Sequence, residues 1–392
     1  MNKDKKIFYV LHGQNVLVIK SFEDSKSSTF KYAVPLDHDN QIPILLDVDG
    51  DFSSYDIIEE ESSNTVIKFD IPPMQKDERI TIKLDYWVLT KNKNYKKLPK
   101  KIRIPISKEL IINEQKWLAS TASIRSKNIF IKVMARIIQG FSNDLLWFVK
   151  KVMYWSAYHG FIFNFMKKFF VTYPVLQKLF LSNSFGYKLE DSLSSLFFGS
   201  LCAGAANLQV ALLRARGIPA RIIISTSLFY GKNKWMDSQH YFVEFFCPGF
   251  GWVRAQSGCM PYPSKRSIIL RIITPKEENI AGNGLSKHGG APKWFWFDNK
   301  NIFFGIPHKY VSYKLPKSKT IGFPAVKGWV VKRLCVPNES VKDICSITKE
   351  IWSINKKYPS SKNFSNCRNA IDSLIKSDYD EYITKMQEIK NA

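Results

Sequence analysis

Short apolar segments with strand character dominate the chain up to about residue 104. Residues 79–89 alternate polar and apolar side chains, as a half-buried strand does. Turn residues separate further β-rich segments of the same kind, at 7–10, 16–19, 30–34, 42–46 and 65–69. Because no helical period interrupts these strands, the pattern predicts a small β-sandwich that ends near residue 108.

Helical periodicity replaces the strand pattern beyond residue 117. Residues 128–139 place apolar side chains on one helical face and are closed by Gly140, while residues 142–153 combine a polar cap with an apolar stripe. The segment 161–170 is rich in both aromatic and basic residues. This composition also occurs in interfacial membrane helices, but the aromatic spacing favours core packing.

The clearest helical signal lies at residues 199–221. Apolar residues recur there at helical spacing, Gly217 suits the left-handed position past the last turn, and Pro219 prevents continuation. Residues 220–226 then read as a strand. Cys202 falls in the first turn, where unpaired N–H groups favour a thiolate. A buried cysteine can equally be inert core, so its downstream context matters.

That context is a predicted hairpin. His240 opens a β-rich segment, residues 248–251 form a turn, and residues 252–256 return. Three motifs together resemble those of the transglutaminase-like (papain-like) superfamily. They are Gly-x-x-Cys followed by Leu-Leu-Arg-Ala-x-Gly-Ile-Pro-Ala-Arg, then His240 with a nearby aromatic and Glu244, and then Pro-Gly-Phe-Gly-Trp-Val.

The resemblance implies an α+β fold, with a nucleophile helix packed on an antiparallel sheet. We expect this transglutaminase-like domain to span 109–310, after an all-β sandwich at 1–108 and before a basic, mostly helical extension at 311–392. It further implies that Cys202 is the nucleophile and that His240 is the base and later the acid.

The third member of the implied triad is Gln256, which stands where the family pattern has an aspartate. A hairpin that pairs His240 with Gln256 would put both side chains on one face of the sheet. The glutamine carbonyl oxygen can accept the imidazole N–H, as asparagine does in Cys-His-Asn proteases, but it brings no charge.

Composition adds constraints on location and partners. The net charge of +24 favours contact with anionic surfaces or polymers, although a solvated basic surface explains it equally well. Six cysteines without paired spacing argue against a disulfide framework or a zinc site and indicate a reducing compartment. No secretion signal, membrane-spanning run or nucleic-acid-binding motif is recognisable. We therefore expect a cytoplasmic protein without a metal or organic cofactor.

The leading hypothesis is a cysteine enzyme that performs acyl transfer on a protein or peptide amide, with hydrolysis favoured over crosslinking. One alternative is a catalytically inactive binding module that retains the fold. A second is a basic accessory protein of a membrane surface, which the charge and residues 161–170 suggest.

Overall fold

The structure is a computed structural model that describes most of the chain. The described residues are 5–21, 24, 26–93, 95–105, 109–171, 191–200, 202–231, 234–262, 267–280, 295–297, 311–313, 330–357 and 361–391.

The described strands form three antiparallel sheets. In chain order they are β1 (Lys5–Ser21), β2 (Ser28–Val34), β3 (Gln41–Gly50), β4 (Ser54–Glu59), β5 (Thr65–Ile71), β6 (Arg79–Lys91), β7 (Ala220–Gly231), β8 (Lys234–Cys247), β9 (Gly251–Ala255), β10 (Ser267–Ile272), β11 (Phe295–Phe297), β12 (Val311–Tyr313) and β13 (Val330–Pro337). The first sheet has the order β12-β1-β6-β3 with β13 also on β1, the second is β11-β2-β5-β4, and the third is β10-β7-β8-β9.

The helices lie between and after these strands. They are α1 (Ile112–Gln115), α2 (Ile129–Gln139), α3 (Leu145–Val171), α4 (Ser192–Phe198), α5 (Cys202–Arg214), α6 (Pro275–Ile280), α7 (Asn338–Lys357), α8 (Ser361–Lys376) and α9 (Tyr379–Asn391). The α+β class predicted from the sequence is confirmed.

The first two sheets pack their apolar faces together, as the predicted sandwich requires. Along β6, Ile80, Ile82 and Leu84 are buried while Arg79 and Lys83 are exposed, which confirms the alternation. The two apolar segments at the start of the chain form one continuous strand, β1, instead of two. The sequence analysis did not predict β4.

Later parts of the chain return to complete these sheets. β13 runs antiparallel to the first half of β1, β12 pairs with its last residues, and β11 pairs with β2. Because these strands cover edges of the two sheets, the sandwich includes segments that lie far from it in sequence. The domain boundaries at 108 and 310 stay predictions.

Helices α7 to α9 cover the outer face of the first sheet. Phe8 and Val10 of β1 and Leu334 of β13 are fully buried against Ile344 and Ile351 of α7. The predicted helical character of the C-terminal region is therefore confirmed, and its physical role is to bury this second sheet face.

Side-chain caps begin both α2 and α3, and the second lies where the sequence predicts a polar cap. The Asn128 carbonyl oxygen accepts the Phe130 N–H at 2.9 Å, and an Asp144 carboxylate oxygen accepts the Trp147 N–H at 2.8 Å. The core packing predicted for 161–170 is wrong at its start, because Phe161 and Ile162 are 71% and 53% exposed. The side chains of residues 163–170 lie outside the described set.

Two buried amides join the sandwich to the third sheet. Gln41 donates to the Ile269 carbonyl and accepts the Ile269 N–H, both at 2.8 Å. Asn64 does the same with Ile272, at 2.8 Å and 2.7 Å. Among the described strands, β10 has a strand partner only on its β7 side. The two amides therefore make, on the other side, the backbone hydrogen bonds that a neighbouring strand would make.

A buried ion pair holds the end of α5. Arg214 donates from both terminal nitrogens to the two Glu278 carboxylate oxygens at 2.8 Å, and neither side chain is exposed. The same guanidinium donates to the backbone carbonyls of Ala119 and Ala220. This geometry satisfies most of the donors of an arginine that has no access to water.

We expect Glu278→Gln to destabilise the protein strongly. The variant keeps the side-chain volume but leaves the Arg214 charge buried without a counter-ion, which costs about 3–5 kcal/mol in comparable buried pairs. The free energy of unfolding, measured by urea titration, is the quantity to compare with wild type.

Glu381→Gln is the matched control. Glu381 pairs with Lys385 on the exposed surface of α9, where solvent screens the charges, so its loss should change the unfolding midpoint little. Equal midpoints for Glu278→Gln and Glu381→Gln would show that the Arg214 pair contributes nothing special to stability.

Candidate active site

Cys202 is the first residue of α5, as the sequence predicts. The thiol is half-buried and packs against the main core, and nearly all of the following helix is buried. At a helix start the positive end of the helix dipole favours a thiolate.

Close packing of α4 against α5 fixes the position of this first turn. A Cβ placed on Gly204 would lie 2.5 Å from the Ser195 hydroxyl oxygen and 2.5 Å from the Ser200 Cβ. Only glycine therefore fits at that position without displacing its neighbours. Ser195 and Ser200 therefore pack directly against the first turn of α5.

The chain order favours a position for His240 at the same end of the domain as Cys202. After α5, the chain turns at Gly217 (φ 77°) and enters β7 at Ala220. From Cys202 to Arg214 an ideal helix rises ~18 Å at 1.5 Å per residue. From Ala220 to Ser225 an ideal strand covers ~16 Å at 3.3 Å per residue. Because Ser225 pairs with His240 on β8, a strand that returns along the helix would put the two predicted site residues at similar levels.

The third sheet has two distinct faces. α5 shares a core with Tyr241, Val243 and Phe245 of β8, whereas Phe242 belongs to a separate apolar cluster on the other face. The His240 ring packs edge-on against Phe242, with ring centroids 5.0 Å apart. The contacts that His240 makes with Cys202 and Gln256 stay predictions.

Burial sets the protonation state of the histidine. It lowers the pKa of His240 below that of an ordinary imidazole, because the low-dielectric surroundings disfavour the charged ring. The ring is therefore neutral at neutral pH. In that form one ring nitrogen can accept a proton, as a general base must.

The hairpin register differs from the predicted one. Cys247 pairs with Gly251 across a three-residue turn, and the ladder continues to Val243 opposite Ala255. Continued by one step, this register sets Gln256 opposite Phe242 instead of opposite His240. Gln256 is nevertheless on the same face of the sheet as His240, at the diagonal position across the two strands. Its backbone exchanges two hydrogen bonds with Cys259, at 3.0 Å and 2.9 Å, which ends the strand.

A buried carboxylate anchors the same face of β8. Glu244 accepts two hydrogen bonds from Arg221 at 3.0 Å and 2.8 Å, and His38 lies 3.3 Å away. Burial alone would raise the pKa of Glu244, but the charges of His38, Arg221 and Arg254 hold it well below its usual range. The carboxylate is thus ionised, and it fixes the strand four residues beyond His240.

Aromatic rings enclose this network. The Arg221 guanidinium lies over Trp252 at 4.0 Å and over Trp117 at 5.5 Å. The sequence motif contains Arg221 and Glu244 but does not include His38, which the sandwich contributes. Within the described part of the chain, no group of His, Cys, Asp or Glu side chains is arranged to hold a metal ion.

Comparison with known proteins finds a family match for one segment of the chain. Residues 181–257 match the core of the transglutaminase-like superfamily. No curated protein shows significant similarity to the chain. A candidate cysteine protease from Cytophaga hutchinsonii superposes with a TM-score of 0.47 and 13% identity, over 80% of this chain and 99% of its own. A candidate protease from Parabacteroides distasonis gives a TM-score of 0.24 and 11% identity, over 70% of this chain and 48% of its own.

The matched segment contains the helix that starts at Cys202, the strand that carries His240 and the hairpin return at Gln256. Residues 181–257 therefore form a transglutaminase-like core, and this core carries all three predicted site residues.

Proposed function

We propose that this protein is a cytoplasmic cysteine enzyme that transfers or hydrolyses the acyl group of a protein or peptide amide. The observation that supports the proposal is the position of Cys202 as the first residue of a buried helix. Cys202 and His240 both lie in the segment that matches the superfamily.

In the proposed reaction, the Cys202 sulfur attacks the amide carbonyl carbon while the thiol proton passes to His240. The backbone N–H of Cys202 donates to the developing oxyanion. The C–N bond then breaks, and the imidazolium gives its proton to the leaving amine. Water or a second amine attacks the thioester, which releases the acyl product and restores the thiol.

A neutral His240 suits the first of these steps. Because burial lowers the pKa of the ring, it can take the thiol proton at neutral pH. The Gln256 amide would accept the other ring N–H and fix the tautomer, without a charge to stabilise the imidazolium. We therefore expect general-base catalysis instead of a preformed thiolate–imidazolium pair.

One observation favours a second candidate, a catalytically silent binding module. The His240 ring rests on Phe242, on the sheet face away from the α5 core, and glutamine replaces the family's aspartate. A protein that keeps the fold for recognition alone does not need the Cys202–His240 contact.

Thiol alkylation separates the two candidates. Treated with iodoacetamide at neutral pH and analysed by peptide mass spectrometry, Cys202 of an enzyme should react on the order of 10-fold faster than the exposed Cys335. Burial raises the pKa of Cys247 to about 11 and raises those of Cys345 and Cys367, so these thiols should react slowly.

His240→Asn provides the matched comparison. Loss of the base should slow alkylation of Cys202 and leave Cys335 unchanged, because Cys335 lies far along the chain on β13. If Cys202 reacts no faster than Cys335 in the wild type, or is insensitive to His240→Asn, the binding-module hypothesis is correct.

A charge at position 256 should move the histidine titration. In Gln256→Asp the new carboxylate favours the imidazolium and should raise the pKa of His240, measured from its ring proton signals by NMR. Gln256→Asn, which adds no charge, should leave that pKa below the ordinary value. Identical titrations of both variants would place Gln256 out of reach of the ring.

Loss of the amide tests its orienting role. If Gln256 holds the ring, Gln256→Ala should reduce turnover of an amide substrate on the order of 10–100-fold, less than loss of the aspartate costs a serine triad. Unchanged turnover would mean that another acid, such as Asp237 or Asp298, orients His240.

A further inference from the structure

We propose that an exposed apolar face of α2 and α3 docks this protein onto an anionic phospholipid bilayer. The face is formed by Phe130, Val133 and Ile137 of α2 and by Tyr154, Tyr158 and Phe161 of α3; we name it the α2–α3 apolar face. Each of these six large apolar or aromatic side chains is more than a third exposed, and exposed apolar surface of this extent usually marks a binding surface.

On α2 the exposed residues form one stripe. Phe130, Val133 and Ile137 recur at intervals of three and four residues and are 55%, 49% and 66% exposed. On the opposite side, Ile131 and Ala135 are fully buried in the core. A helix of a globular protein normally turns polar residues outward, so core packing does not explain the outer stripe.

The exposed row on α3 is aromatic. Tyr154, Tyr158 and Phe161 recur at intervals of four and three residues, and Tyr158 and Phe161 are about as exposed as Phe130 or more so. The buried stripe of the same helix contains Phe148 and Val152. Tyrosine combines an apolar ring with a polar hydroxyl, which suits the boundary between headgroups and acyl chains.

Contacts with α4 link both rows to the helix that precedes Cys202. Phe130 packs edge-on against Phe197 of α4, with ring centroids 5.3 Å apart. His159 of α3 lies 2.8 Å from the Leu196 carbonyl oxygen of the same helix. The α2–α3 apolar face therefore lies near the start of α5, although the proposal does not depend on catalysis.

Charge identifies the occupant as an anionic bilayer. Residues 127–171 contain seven basic residues and one acidic residue, Asp144, which caps α3. Lys132 and Arg136 are exposed on α2, as basic residues beside the apolar face of an interfacial helix are. A second copy of the chain would bring the same positive charge against itself. Anionic headgroups would neutralise it.

The contact is interfacial. Among the described residues, no helix is both long and apolar enough to cross a bilayer. Helices that lie in the membrane plane need only one apolar face with basic residues beside it, and α2 has both.

Vesicle co-sedimentation with the full chain tests the proposal. We expect binding to vesicles of phosphatidylcholine mixed with phosphatidylglycerol, and little to phosphatidylcholine alone. Binding should weaken between low and moderate salt, because screening reduces the attraction between the lysines and the lipid.

Two paired variants localise the contact. Phe130→Ser/Ile137→Ser and Lys132→Gln/Arg136→Gln should each lower the partition coefficient on the order of 10-fold or more. Their controls are Ile111→Ser/Ile112→Ser, which alters exposed apolar residues at α1, and Lys342→Gln/Lys376→Gln on α7 and α8; both should bind like wild type. Because all these positions are exposed, thermal melting should show all four variants folded.

Three results would overturn the proposal. These are no binding to anionic vesicles at low salt, equal loss of binding in the patch and control variants, or a vesicle-independent dimer that only the patch variants disrupt. The last would identify a second copy of the chain as the occupant. None of these results depends on the reactivity of Cys202, so failure of this proposal is distinguishable from failure of the enzymatic one.

Discussion

The architecture depends on the burial of α5 on nearly every side. A buried helix cannot leave its terminal polar groups to water, so both ends need partners within the protein. Arg214 and Glu278 meet this need at the C-terminal end through a desolvated ion pair. The N-terminal end carries Cys202, where the helix dipole favours a negative charge on the thiol.

The third sheet continues this use of buried charge. Glu244 remains ionised although it has no contact with water, because Arg221, Arg254 and His38 surround it. His240, on the same face, is kept neutral because burial lowers its pKa. This face therefore carries both an ionised carboxylate, Glu244, and a titratable base, His240. Because His38 belongs to the sandwich, the surroundings of Glu244 depend on the packing of the sandwich against the third sheet.

Local sequence patterns predicted much of this structure. The start of α5 at Cys202, the cap at Asp144 and the alternation along β6 follow from neighbours within one or two turns. Their physical causes, namely side-chain periodicity and terminal hydrogen bonds, are themselves local, so a single segment contains the information.

Long-range pairing was not predictable in the same way. Nothing in residues 330–337 alone shows that they will pair with β1. The hairpin register depends on a turn that is one residue shorter than the predicted 248–251. Exposure of Phe161 was also missed, because aromatic spacing is the same for a core and for a membrane surface. The position of Gln256 relative to His240 depends on the hairpin register and was not predictable for the same reason.

The central claim is that Cys202 and His240 act together. A crystal structure of the full chain at neutral pH measures the decisive quantity, the distance from the Cys202 sulfur to the nearer His240 ring nitrogen. The account predicts a distance within about 4 Å, the range of a loose catalytic hydrogen bond. A distance above about 8 Å, with the ring still packed on Phe242, is too long for proton transfer and would contradict it.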